Sequence, residues 1–283
     1  MNYLAKPFLI MNIGIIGQGF VGKAVFQKFN LFFKVYTYDI IPEICNSSYD
    51  DLVKNCKIIF ICIPTPMNKD GSCNVELVRK VLYGLNNETK ATIVNKSTIP
   101  PGTTDMFQKQ FKNLKIIFNP EFLTERNSVE DFNKQDRVIL GGPRPATTDL
   151  KQIYSTVFPN AYVIKTGAKH AEMIKYFTNC FLANKVSFAN EMYDLCNALN
   201  LDYDKVVEYA ILDNRLGNSH WSVPGPDGDF GFGGHCFPKD LSAIIKMTDN
   251  LGTINATLKS VLKTNDKVRK NRDWENMKGR AIT

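Results

Sequence analysis

The sequence predicts an α/β protein in which a parallel-sheet domain is followed by a mainly helical domain with a long central helix. Two observations carry that expectation. Over the first 165 residues, short β-branched runs alternate with amphipathic stretches, the pattern of strand–helix–strand units around a parallel sheet. From Ala168 to about Leu199, apolar residues recur instead at helical spacing (Met173, Phe177, Phe181, Val186, Phe188, Met192, Leu195) with no Pro or Gly to interrupt them. The change of texture places one domain at residues 1–166 and the other at 167–283.

Candidate strands are Asn12–Ile16, Lys34–Tyr38, Lys57–Ile63, Thr92–Asn95, Lys115–Phe118, Arg137–Leu140 and Tyr162–Ile164. The long helix exceeds the usual globular range and reads as a spine between domains or against a partner subunit. A short helix follows near Asp204–Ile211. The stretch Asp213–Cys236 is so rich in glycine, with Pro224 and Pro226 among them, that it reads as a loop; long structureless loops are generally functional. Two more helices begin near Pro238 and Ile254, and the charged last dozen residues read as frayed. The first ten residues lack the apolar core and cleavage site of a secretory leader and read as an extension ahead of the first strand.

Apolar residues make up 44% and charged residues 22% of the 283-residue chain, a balance that builds a core and argues against disorder. The longest apolar runs, such as Ile58–Ile63, are far shorter than the roughly 20 residues that cross a bilayer, so no membrane span is expected. Seven cysteines form an odd set without a CxxC pair, which predicts reduced thiols in a cytoplasmic setting. The three histidines sit at no metal-ligand spacing, so no metal is assigned. A net charge of +7, without a basic stripe interleaved with aromatics, reads as a solvated surface and not as a nucleic-acid interface.

Gly17-Gln18-Gly19-Phe20-Val21-Gly22 follows an apolar strand and opens a helical stretch, with Asp39 at the end of the next strand. That context turns a GxGxxG into a dinucleotide fingerprint of the Rossmann type. The first glycine allows the tight turn, the second admits a pyrophosphate, and the third lets helix and strand approach. Asp39 accepts from a ribose 2′-hydroxyl and repels a 2′-phosphate, so NAD is expected over NADP.

The second signal is Gly231-Phe232-Gly233-Gly234-His235-Cys236-Phe237-Pro238-Lys239-Asp240, where a glycine-rich loop meets a helix start marked by Pro238. A thiol at a helix N-terminus beside Lys239 has its thiolate form stabilised, so Cys236 is a candidate nucleophile, while the other six cysteines read as small buried hydrophobes. Lys175 and Asn179 share one helix face. Lys96–Thr104 and Asn119–Leu123 each end a strand, and ligands bind outside the carboxyl ends of parallel strands; Thr98, Glu121 and Glu125 are thereby placed on a crevice.

Together with Ile63-Pro64-Thr65-Pro66 and Asn190-Glu191, these blocks resemble, in order along the chain, the UDP-glucose/GDP-mannose dehydrogenase family. The resemblance implies two hydride transfers to NAD⁺ that convert the C6 alcohol of a nucleotide sugar, UDP-glucose foremost, to a carboxylate. It implies that Cys236 attacks the aldehyde to give a thiohemiacetal and then a thioester, that Lys175 stabilises the oxyanion with Asn179 positioning it, and that Thr98 and Asp240 hold the water with Glu121 as general acid/base. It further implies NAD contacts from Gly17, Gly19, Phe20, Val21, Gly22, Asp39, Pro64, Thr65, Thr98 and Glu125. Substrate contacts are implied from Glu121, Phe122, Leu123, Lys175, Asn179, Gly233 and, across a homodimer built on the long helix, Arg215.

Members of the family continue into a third, nucleotide-gripping domain that is not expected here, since the sequence ends at Thr283. The loop Val223–Asp229 is longer than usual and His235 replaces a small hydroxyl residue, changes expected to bear on sugar choice. Two other readings share parts of the pattern: a β-hydroxyacid or 6-phosphogluconate-like dehydrogenase, and an inactive NAD-binding interaction subunit.

Overall fold

The computed structural model describes residues 11–283; the expected N-terminal extension lies outside them. In order, the regular elements are β1 (Asn12–Ile16), α1 (Phe20–Phe29), β2 (Lys34–Tyr38), α2 (Tyr49–Asn55), β3 (Ile58–Ile61), α3 (Glu76–Leu85), β4 (Thr92–Asn95), α4 (Thr103–Gln110), β5 (Lys115–Phe118), α5 (Ser128–Asn133), β6 (Arg137–Gly141), α6 (Arg144–Val157) and β7 (Tyr162–Thr166). These are followed by α7 (Ala168–Ala198), α8 (Tyr203–Ala210), α9 (Phe237–Leu251) and α10 (Ala256–Val268). The chain forms two compact units.

The first unit comprises the chain up to Pro64 together with Val75–Lys175. Its seven strands form one sheet in the order β2-β1-β3-β4-β5-β6-β7. Neighbours pair in parallel except β5 and β6, which meet in a single antiparallel pairing, Phe118 opposite Gly141; the sheet is therefore mostly parallel. The strands are runs of Ile, Val and Phe because both faces are covered. Ile13, Ile15, Phe60 and Val94 pack on one side with Phe29 of α1 and Tyr154 of α6, while Ile59, Ile61 and Ile93 pack on the other with Leu52, Leu82 and Phe107. Burying each such side chain contributes about 1.5–3 kcal/mol. The order reverses between β1 and β3, which creates the switch point where open α/β sheets bind ligands. Strand β3 is shorter than expected because Ile63 leaves the ladder, its N–H donating to Ser97 Oγ at 3.1 Å.

The second unit takes Thr65–Asn74 and Tyr176–Thr283. The division thus falls inside α7, after Lys175, and not at residue 166, because the first turns of that helix, at Ala171 and Ile174, pack in the core of the sheet unit. The core of the second unit joins Tyr176, Cys180 and Ala183 of α7 to Leu241 and Ile244 of α9 and Val261 of α10. The C-terminal end is not frayed. Trp274 is buried, and backbone bonds join Met67 N–H to Ala281 O at 2.8 Å and Thr283 N–H to Met67 O at 3.0 Å. The segment 65–74, which sequence order assigns to the sheet, is therefore held by the C-terminal tail; Lys246 on α9 adds an ion pair to Asp70 at 3.4 Å. The stretch Asp213–Cys236 contains no helix or strand. Among the described residues, no helix is long and apolar enough to cross a membrane.

Candidate functional site

At the end of β1, the three glycines of the fingerprint have separable reasons. Gly17 has φ +95°, the left-handed region, and a Cβ there would drive into the carbonyl of Cys62. At Gly22 a Cβ would strike the carbonyl of Gly17, so helix and turn could not close. At Gly19 a Cβ would meet no atom within 4 Å. Folding does not require glycine there, and the open backbone leaves room for a phosphate. Gly19 is the N-cap of α1, which has no side-chain cap and no acidic residue in its first turn, so the positive end of the helix dipole there suits an anion. Phe20 and Val21 form that first turn. Asp39 closes the turn from the end of β2, its Oδ2 accepting from Gln18 N–H at 2.6 Å. These residues fit a dinucleotide.

Beyond β4 and β5, the same unit buries Lys96, Glu121 and Lys175. Lys175, on the first turns of α7, points its Nζ at Glu121, 2.5 Å from the backbone O and 3.0 Å from Oε1. The other oxygen of Glu121 accepts from Leu123 N–H at 2.7 Å. Burial alone would raise the Glu121 carboxyl, but Lys175, the Leu123 N–H and Lys96 outweigh it and hold the group below its ordinary value. The Lys175 ammonium also lies 5.4 Å from the centre of the Phe122 ring. Lys96, to which the sequence gives no role, is buried with Nζ 2.9 Å from Asn119 Oδ1, and burial pushes it down to about 8. Tyr154 donates to the same Asn119 oxygen. Thr98 is buried beyond β4, and Glu125 is exposed. Glu172 of α7 accepts the N–H groups of Gly102 and Thr104 at 2.6 and 2.7 Å, which ties down the Lys96–Thr104 motif.

In the second unit, Cys236 is the N-cap of α9, with Pro238 in the first turn. One turn along, Asp240 is buried between two partners. Its Oδ2 accepts from Asn179 Nδ2 at 2.7 Å, and its Oδ1 lies 2.5 Å from Lys239 Nζ. Burial works against a charge on Lys239, but Asp240, Cys73 and Cys236 outweigh it and raise its value. Thr65 belongs to this unit and is buried. Gly233 is required by contact, since a Cβ would overlap the Arg269 guanidinium and the Asp273 carboxylate. Arg215 does not join this cluster: its side chain is 88% exposed and paired with Asp213.

Each unit therefore assembles its share of the expected residues. Missed by sequence reasoning were Lys96, Arg269, Asn190 and Asn265. The last two bind the backbone of Gly231 and Phe232; Lys96 and Asn190 lie in blocks that carry the family resemblance but received no role from it, and Arg269 and Asn265 carried no local signal.

Residues 44–158 match the NAD binding domain of the UDP-glucose/GDP-mannose dehydrogenase family, and residues 169–267 match its central domain. The Gly17–Gly22 turn lies ahead of the first match and supports it independently. The chain is 31% identical over 305 residues to the UDP-glucose 6-dehydrogenase AglM of Haloferax volcanii, covering 90% of this chain and 70% of that protein. It is 32% identical over 227 residues to the UDP-glucose 6-dehydrogenase TuaD of Bacillus subtilis, covering 77% and 48% respectively. Among solved structures, a UDP-glucose dehydrogenase from the hyperthermophilic archaeon Pyrobaculum islandicum aligns with a TM-score of 0.85 at 29% identity, over 94% of this chain and 70% of that one. The chain spans about half the length of several curated relatives it matches.

Proposed function

The chain belongs to the UDP-glucose/GDP-mannose dehydrogenase family, whose cofactor is NAD, and from that premise we propose that it oxidises the C6 alcohol of a nucleotide sugar to a carboxylate, with UDP-glucose and UDP-glucuronate as the leading pair. The observation that carries the reading is the setting of Cys236: a thiol at the N-cap of α9, four residues before the Asp240 that grips Asn179. A single alcohol-to-ketone oxidation, as in the β-hydroxyacid reading, gives that thiol no task, and an inactive subunit gives none to Lys175 and Glu121.

Bound NAD⁺ supplies the hydride acceptor, once for each oxidation. In the first, Glu121, held as a carboxylate, takes the hydroxyl proton through water as general base, and Lys175 stabilises the developing oxyanion. The Cys236 sulfur then adds to the aldehyde carbon, forming a thiohemiacetal that keeps the aldehyde from escaping. Loss of the second hydride leaves a thioester. Water positioned by Thr98 and Asp240 breaks the C–S bond, which releases the carboxylate and restores the thiol. Asn179, oriented by Asp240, donates to the carbonyl oxygen throughout. Phe122, Leu123 and Gly233 line the sugar, and Gly17, Gly19, Phe20, Val21, Gly22, Asp39, Pro64, Thr65, Thr98 and Glu125 hold the cofactor.

A homodimer through α7 belongs to the same proposal. The outward side of that helix carries Phe177, Phe181 and Phe188, which are 68, 56 and 52% exposed, a cost in water that a second copy would remove. Arg215 would then reach the partner's substrate. All seven cysteines are free, which supports a reducing, cytoplasmic compartment.

Incubating the protein with UDP-glucose, GDP-mannose or a UDP-N-acetylhexosamine and excess NAD⁺ tests the reading. We expect two NADH per sugar with one of them, and loss of the carboxylate product in Cys236→Ala. One NADH per turnover with a ketone product would overturn it.

A further inference from the structure

Arg269, at the C-terminal end of α10, is among the most deeply buried cations of the second unit: its side chain is 2% exposed. Three carboxylates surround it. Nη1 lies 2.6 Å from Asp227, Nε 3.5 Å from Asp229 and Nη2 3.2 Å from Asp273. Asp227 and Asp229 sit in the Val223–Asp229 segment, which the family resemblance leads one to expect to be longer than usual, and Asp273 sits in a short turn after α10.

Asp273 has a second task. Its two oxygens accept the N–H of Gly234 at 3.2 and 3.0 Å, two residues before the thiol. Gly233 lies so close against Arg269 and Asp273 that no side chain fits. The guanidinium fork thus fixes the middle of the loop through Asp227 and Asp229, and its exit, next to Cys236, through Asp273. Since a fork holds several oxygens in one plane, its geometry restrains this loop in a way that a point charge does not.

We propose that Arg269 is a positioning residue for the thiol: with Asp273 it sets the conformation of the Gly233–Cys236 backbone, and the Asp227–Asp229 loop is the strap that locks Arg269 in place. The inference rests on Cys236 being the nucleophile, and it assigns the unusual loop to thiol placement. Displacements of about 1 Å at a reacting group can cost on the order of a hundredfold in rate, which gives the device its worth.

The test compares Arg269→Gln, Arg269→Lys and Asp273→Ala with wild type and with Asp266→Asn, an exposed ion-pair partner of Arg272 outside the network. The primary readout is the rate at which iodoacetamide alkylates Cys236 across pH, resolved by peptide mass spectrometry against Cys45 as internal reference. We expect Arg269→Gln and Asp273→Ala to change the Cys236 rate and its pH profile about tenfold, leave Cys45 unchanged, and lower kcat about ten- to a hundredfold with the KM for NAD⁺ within about twofold. Arg269→Lys should recover only part, and Asp266→Asn should match wild type.

If Arg269→Gln does not fold, Asp273→Ala decides alone, because it leaves Arg269 with Asp227 and Asp229. An unchanged Cys236 rate and profile in folded Asp273→Ala overturns the inference. Failure of the proposed chemistry shows differently, as full carboxylate production by Cys236→Ala.

Discussion

Replacing Lys175 with Met removes a cation from a buried pair while keeping a chain of similar length against Phe122. The structure sets what is lost: a 3.0 Å contact to Glu121 Oε1 and a 2.5 Å bond to its backbone oxygen. Breaking one side of a buried ion pair costs about 3–5 kcal/mol, because the remaining charge stays desolvated. The pH dependence identifies the cause. In the wild type the Glu121 carboxyl lies below its ordinary 4.5, so it contributes stability above that pH and loses it as the pH falls through the folded value. In the variant, burial persists without its main counter-charge, the carboxyl rises above 4.5, and stability is lost as the pH climbs. The two proteins should therefore differ little near pH 4 and most near pH 7. Urea unfolding followed by far-UV circular dichroism, with NAD⁺ protection to identify the sheet unit, is the assay. Tryptophan emission would miss the event, since Trp221 and Trp274 both belong to the second unit. A stability gap equal at both pH values would refute the electrostatic account. On activity, if Lys175 stabilises the oxyanion as proposed, its loss should lower kcat by about 10²–10³.

Other outcomes follow from the same geometry. Gly19→Ala should leave the melting temperature within about a degree, as the protein offers open space there, yet weaken NAD⁺ binding at least about tenfold by calorimetry; equal affinity would remove the pyrophosphate from that turn. Gly22→Ala should instead destabilise by about 1–3 kcal/mol through overlap with the Gly17 carbonyl. Lys96, lowered from 10.5 to about 8, gives up about 3 kcal/mol of stability while charged; wild type should gain on Lys96→Met as the pH rises from about 8 to 10.5, and parallel unfolding curves would contradict its burial as a cation. Phe181→Asp should shift the sedimentation coefficient from dimer to monomer, and an unchanged value would place the interface elsewhere.

Much of the fold was legible because strands buried on both faces must be runs of Ile, Val and Phe, and because the turn Gly17–Gly22 admits few other residues. The placement of Asp39 just after β2 and of Cys236 at a helix start was legible for the same reason: caps and tight turns are short-range. What escaped the sequence was long-range. Periodicity found the apolar stripe of α7 but not its direction; the phenylalanines face outward while small residues such as Ala171, Ala183 and Ala189 are buried, allowing close approach. Arg269 looked like one of many surface cations because its partners lie 42 and 40 residues away at Asp227 and Asp229, and nothing local announces a buried guanidinium. Segment 65–74 looked like an ordinary strand-to-helix connection, because its partners Ala281 and Thr283 stand at the far end of the chain.

That last segment makes amide neighbours strangers in solution. Local openings occur in cooperative groups of contacts and not in stretches of sequence, so deuterium should enter Asn68–Asn74 in step with the amides of residues 277–283, while Ile58–Ile61 and α3 on either side keep the slower clock of the sheet. Plotted along the chain, uptake would jump up at Thr65 and drop again at Val75, two steps with no counterpart in hydropathy.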